Sequence, residues 1–115
     1  MGIPARAYES RPVQVQYLLT SVLVEYLPAH VEKRRAEKAL ERATLASARG
    51  DREHMIVASI DFLAEVLTGW QHRDRNGQPT KPTREALGHM PDGWLGAACT
   101  AVGEDMQEFS KELNS

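Results

Sequence analysis

Apolar residues change their period along this chain, and the changes mark out its elements. From Val13 to Tyr17, VQVQY alternates apolar and polar residues as a strand does, whereas Tyr17, Leu18, Val22, Tyr26 and Leu27 fit the period of a helix. A short strand or extended lead-in running into a helix satisfies both patterns, and Pro28 ends or kinks what precedes it. From His30 to Ala48 the residues are strong helix formers with no Gly or Pro among them. The apolar stripe there is thin and mostly small: Val31, Ala36, Ala39, Leu40, Ala43 and Ala46. Such a helix either packs closely through its alanines or stands largely exposed.

Gly50 and Asp51 read as a stop and a restart, with Asp51 capping a helix that carries Met55, Ile56, Ile60, Leu63, Val66 and Leu67. This helix is expected at the centre of the core. Its period extends to Trp70, with Gly69 weakening it just before a polar loop. In that loop Asn76-Gly77 favours positive backbone angles, and Pro79 and Pro82 exclude a regular helix. Thr83 is placed to cap a short segment, TREALGHM, after which Pro91-Asp92-Gly93 interrupts the chain. The last segment sets Trp94, Leu95, Ala98, Val102, Met106, Phe109 and Leu113 on one face, opposite Glu104, Asp105, Glu108 and Lys111. The fold expected is mainly α: a small helical bundle with both tryptophans in its core and a short extended or β segment near the N-terminus. Residues 1–12 show no period and read as a mobile arm, leaving 13–115 as a single helical domain.

At 115 residues the chain suffices for one marginally stable domain that a partner or a second copy can complete. Its 42% hydrophobic content suits a globular fold, and no apolar run approaches the roughly 20 residues of a membrane span. The N-terminus lacks the apolar centre of a secretory signal, and Arg6 stands where a myristoylation motif wants Ser or Thr. Residence in the cytoplasm is the expectation.

Candidate chemistry changes this picture little. The one cysteine, Cys99, lies in GAACTAV and reads as a buried small residue rather than a nucleophile served by His30, His54, His72 or His89. The carboxylates Asp61 with Glu65, and Glu104 with Asp105 and Glu108, lie on solvent faces. The histidines lack metal-ligand spacing. Asp74, Asn76 and Gly77 match the start of a calcium loop and Glu85 its close, but Pro79 takes the place of the required glycine, and Gln78 and Pro82 take two ligand positions. A turn accounts for them better. Lys33, Arg34, Arg35, Lys38 and Arg42 could face nucleic acid, yet Glu32, Glu37 and Glu41 interleave with them and the net charge is −2. No catalytic, metal or cofactor site is therefore expected, and nucleic acid is the weaker partner class.

Several features occur in an order that resembles a known family. Phe62-Leu63-Ala64-Glu65-Val66-Leu67 leads into Gly69-Trp70; Asp74, Asn76, Gly77 and Pro79 follow in the loop; a threonine-led short helix, Thr83 to Leu87, and a closing helix complete the order. This resembles the tail assembly chaperones of long-tailed bacteriophages and prophages, best from about Met55 onward and more weakly over VQVQYLLTSVLVEYL. The resemblance implies a non-enzymatic protein that keeps apolar helices of the tape-measure protein soluble and helps major tail protein subunits assemble around it. Met55, Trp70 and Met90 are the candidate partner contacts, with Trp94 and Met106 read as core. Arg73 and Arg75, where acidic residues are common in that group, and the charged segment from His30 to Gly50 depart from its pattern.

Overall fold

The computed structural model describes residues 5–114; the first four residues of the expected arm lie outside them. A three-stranded antiparallel sheet runs in the order β1 (Arg11–Tyr17), β2 (Thr20–Tyr26), β3 (Leu67–Trp70). Four helices accompany it: α1 (Lys33–Ala48), α2 (Arg52–Val66), α3 (Arg84–Gly88) and α4 (Asp92–Asn114). Mainly α character is correct, and the short extended or β segment expected near the N-terminus is part of a three-stranded sheet.

The alternation of VQVQY is realised as β1, and it continues through β2 rather than giving way to a helix. Val13 pairs with Val24 and Val15 with Val22, so these four valines form one inward face and bury almost completely. Tyr26 extends that face. The expected helix over Tyr17 to Leu27 is thus corrected to a hairpin whose two-residue loop is Leu18-Leu19. β-branched Thr20, Val22 and Val24 favour the pleated surface, and pairing with β1 satisfies backbone groups that a helix would satisfy locally.

A second correction concerns Trp70. Helix α2 stops at Val66, and Leu67–Trp70 joins β2 with Val24 opposite Trp70, Glu25 opposite Gly69 and Tyr26 opposite Leu67. Thr68 is the extra residue in this register and donates its hydroxyl hydrogen to the Glu25 carbonyl at 3.2 Å, which is how a bulge turns the chain out of the ladder. Thr68-Gly69 is poor helix sequence beside an open strand edge, so the strand wins.

Local signals fared well elsewhere. The Asp51 side chain accepts from the His54 backbone N–H, and the Thr83 hydroxyl accepts from that of Ala86, so both expected caps form. Helix α1 begins at Lys33, after a 3-10 turn over Pro28–His30, and Glu32 caps it. It packs on α2 through Ala36, Ala39, Ala43 and Ala46, all buried. Helix α2 is central as expected, burying Ala58, Ser59, Phe62, Leu63 and Val66, with Met55, Ile56 and Ile60 half-buried. The expected interruption falls at Pro91, between α3 and α4, and Asp92-Gly93 already belongs to α4: the Leu95 amide donates to the Pro91 carbonyl at 3.1 Å. Proline is tolerated there because its missing N–H needs no partner, and Asp92 complements the helix dipole.

Helix α4 lies against β1 and α2, with Trp94, Leu95, Ala98, Cys99, Val102 and Phe109 buried, Met106 half-buried and Leu113 exposed. At the N-terminal end, β1 takes in Arg11 and Pro12, and Ala5–Tyr8 forms a 3-10 turn with Ala7 buried. The ordered fold therefore starts ahead of the expected boundary at Val13.

Candidate functional site

Two regions deserve a functional reading: the loop after Trp70 and a cleft between α1 and α4. The loop is built from one aromatic anchor and one acidic turn. The Trp70 indole N–H is shared between the Thr80 carbonyl at 3.0 Å and the Thr80 hydroxyl at 2.9 Å, and that hydroxyl in turn donates to the His72 carbonyl at 2.9 Å. Trp70 meets Trp94 edge to face, ring centres 5.9 Å apart, and His72 at 5.0 Å. Such aromatic pairs and a satisfied indole fix a loop to a core at small entropic cost.

At the loop's far end the Asp74 carboxylate accepts from the amides of Asn76 and Gln78, both at 2.9 Å, while Gly77 takes a positive φ of 76°. Arg73 donates to the Gly77 carbonyl at 2.8 Å and forms an isolated bridge with Pro79. Gly69, Trp70, Asp74, Asn76, Gly77 and Pro79, the residues that carry the family-like order, thus belong to one continuous structure. The Gln71 amide ties the start of the loop to β2 by donating to the Leu23 carbonyl at 2.8 Å, while the contacts of Asp74, Arg73 and Thr80 stay within the loop and its Trp70 anchor. Arg73 has a structural role in it; Arg75 is exposed and makes no hydrogen bond or ion pair among the described residues.

The three candidate partner contacts are not brought together. Met90 is buried in the core and presents no surface. Trp70 is half-buried as the loop's anchor, and Met55 lies in the first turns of α2, at the helix end away from Trp70. Met55 instead lines a cleft that the sequence reading missed.

Helices α1 and α4 both pack on or beside α2, and they face each other across Leu40 and Gly103. A Cβ added at Gly103 would lie 3.3 Å from Leu40 Cδ2. This near-contact separates two lobes that share Leu40, Gly103 and Gln107 in their walls. One, of about 610 Å³, is lined largely by small side chains, including Ala43, Ser47, Ser59, Gly96 and Cys99, with Met55 among them. The other, of about 380 Å³, is more aromatic and aliphatic: Tyr26, Val31, Phe62, Met106 and Phe109 line it. The available signal was the recurrence of Gly96, Cys99-Thr100 and Gly103 at helical spacing on α4, opposite the small residues of α1.

Strongly shifted ionisable groups serve the framework. Arg11 clasps Asp105 with two donors, at 2.8 and 3.2 Å, and the Tyr26 hydroxyl donates to the same carboxylate at 2.7 Å. The Arg11 guanidinium also lies 5.0 Å from the Phe109 ring centre. Burial by itself raises the Asp105 carboxyl, but the hydrogen bonds from Arg11 and Tyr26, with the charge of Arg11, outweigh it and hold Asp105 below its ordinary range. Burial, then the bond to Asp105, pushes the Tyr26 phenol up. Together these bonds tie β1 and the end of β2 to α4. Cys99 is buried, donates weakly to the Ser59 carbonyl at 3.7 Å, and has its thiol pushed up to about 11 by burial. This is the buried small-residue position expected of it.

Among the described residues no group of three or more His, Cys, Asp or Glu side chains is placed to hold a metal ion. No helix among them is long and apolar enough to cross a membrane. No protein-family model, curated protein or solved structure matches the chain.

Proposed function

We propose that this chain is a non-catalytic tail assembly chaperone of a long-tailed bacteriophage or prophage, binding apolar helical segments of the tape-measure protein during assembly of the tail tube. The observation that carries this reading is the open cleft of about 610 Å³ between α1 and α4, with small side chains on both walls and Met55 in its lining. Small walls let a helix backbone approach closely, and a thioether adapts to varied apolar side chains, which suits a binder of many similar helical segments. The resemblance in element order, from the Gly69-Trp70 pair through the Asp74 turn to the closing helix, supports the same class.

Co-expression with the tape-measure protein of the same genome tests it. The expected result is a soluble complex where the tape-measure protein alone aggregates, with capture reduced when Ser47→Trp narrows the cleft. Aggregation regardless of the chaperone, or capture that ignores a correctly folded Ser47→Trp protein, counts against the reading.

A second reading rests on α1. Arg35, Lys38 and Arg42 fall along one edge of that helix, while Glu37 and Glu41 turn toward another. This cationic edge supports a nucleic-acid-binding regulator. Arg42 is already engaged by Asp61 at 3.3 Å, and Arg35 lies 3.7 Å from Glu32, which weakens the case. DNA binding that falls steeply with salt is its test.

A further inference from the structure

The tip of the β1–β2 hairpin breaks two rules at once. Leu18 holds a positive φ of 53°, where Gly or Asn is ordinarily found, and the pattern of one positive φ in a two-residue loop is that of a II′ turn. Leu18 and its neighbour Leu19 are also exposed, at 78% and 104% of full accessibility. Neither leucine contributes to the core, and the backbone at Leu18 is strained to display it. Paired exposed leucines on a strained turn indicate an apolar contact outside the monomer.

We infer that the Leu18-Leu19 tip of one copy of this chain inserts into the aromatic lobe of the α1–α4 cleft of a second copy, giving head-to-tail association. Size supports the fit: a cavity left by one leucine side chain is on the order of 150 Å³, and the lobe offers about 380 Å³. Charge is compatible as well. The tip is flanked by uncharged Gln16, Tyr17, Thr20 and Ser21, and at the lobe's mouth Lys33 is balanced by Glu37.

Geometry makes the contact intermolecular. Tyr17, beside the tip, lies against Gly93 at the start of α4, whereas the lobe is lined by Met106, Phe109 and Ser110 near that helix's end. With a rise of about 1.5 Å per residue, the two ends are roughly 24 Å apart, so a copy cannot fill its own lobe. A tip and a receptor on opposite ends make a heterologous contact, which extends into a chain or closes into a ring. The inference does not rest on the chaperone reading.

Sedimentation of the full chain between roughly 10 µM and 1 mM, the range in which a contact with two small apolar anchors dissociates, tests it. Wild-type mass should rise with concentration. A tip variant, Leu18→Gly with Leu19→Ser, and a lobe variant, Ser110→Trp, should each stay monomeric; mixed in equal amounts they should form a discrete dimer that grows no further. Gln107→Trp, on the exposed rim of the same lobe, serves if Ser110→Trp does not fold. A monomeric wild type, an oligomer that survives both changes, or a mixture that stays monomeric overturns the inference. Binding of a monomeric wild type to phosphatidylcholine vesicles, lost in the tip variant, overturns it too and assigns the leucines to lipid.

Discussion

The Tyr17 ring lies over Gly93 so closely that a methyl group at that position would overlap it. The end of β1 and the first turn of α4 therefore fit together through the absence of a side chain. Gly93→Ala forces the half-exposed ring aside, and its lost packing outweighs the gain of up to about 1 kcal/mol that alanine brings to a helix. We expect net destabilisation of about 1 kcal/mol in the wild type and stabilisation in a Tyr17→Ala background. A double-mutant cycle by urea denaturation checks it; the same sign in both backgrounds removes the contact from the argument.

Trp70→Phe retains an aromatic ring against Trp94 but deletes the donor to Thr80. The expected cost is about 1–2 kcal/mol, with faster amide exchange confined to residues 71–82. Hydrogen exchange reads this directly, and uniform acceleration across the fold speaks against a loop anchor.

Asp105 gives the fold a pH dependence. Its folded-state carboxyl titrates below the ordinary 3.8, so its contribution is complete above that value and is lost as pH falls through the depressed folded-state value. Asp105→Asn should cost about 1–3 kcal/mol at pH 7. Melting curves of the two proteins should converge below about pH 4, and a constant difference across the acid range contradicts the assignment.

Cys99, buried with its thiol raised to about 11, should resist alkylation at pH 8 in the native protein and react readily in denaturant. Its labelling rate should follow the unfolding curve. Rapid native labelling would place the thiol in open solvent at the cleft.

The cleft illustrates why part of a site escapes a sequence reading. Its small residues on α1 and α4 each look like ordinary packing positions, and Ala43 is indeed buried against α2. That Gly103 and Leu40 face each other depends on how two helices distant in the chain are held by a third. The loop was more legible because Asp74, Asn76, Gly77 and Gln78 satisfy one another within a few residues. Met90 was misplaced for the opposite reason: its short apolar context carries no period that distinguishes surface from core.

By itself the sequence determined what neighbouring residues can settle among themselves. Asp51 and Thr83 cap the helices they were expected to cap, and the apolar face of α4 is buried over most of its length. Tertiary structure decided β2, β3, the packing of the α1 alanines and the strand conformation of Trp70, since a strand has no hydrogen-bonded state without its partner and Leu67–Trp70 finds one only at Val24–Tyr26. It also decided the exposure of Leu18 and Leu19. The period that suggested a helix there was real, but pairing β1 with β2 closes their valines into one buried face, and the two leucines are left at the turn.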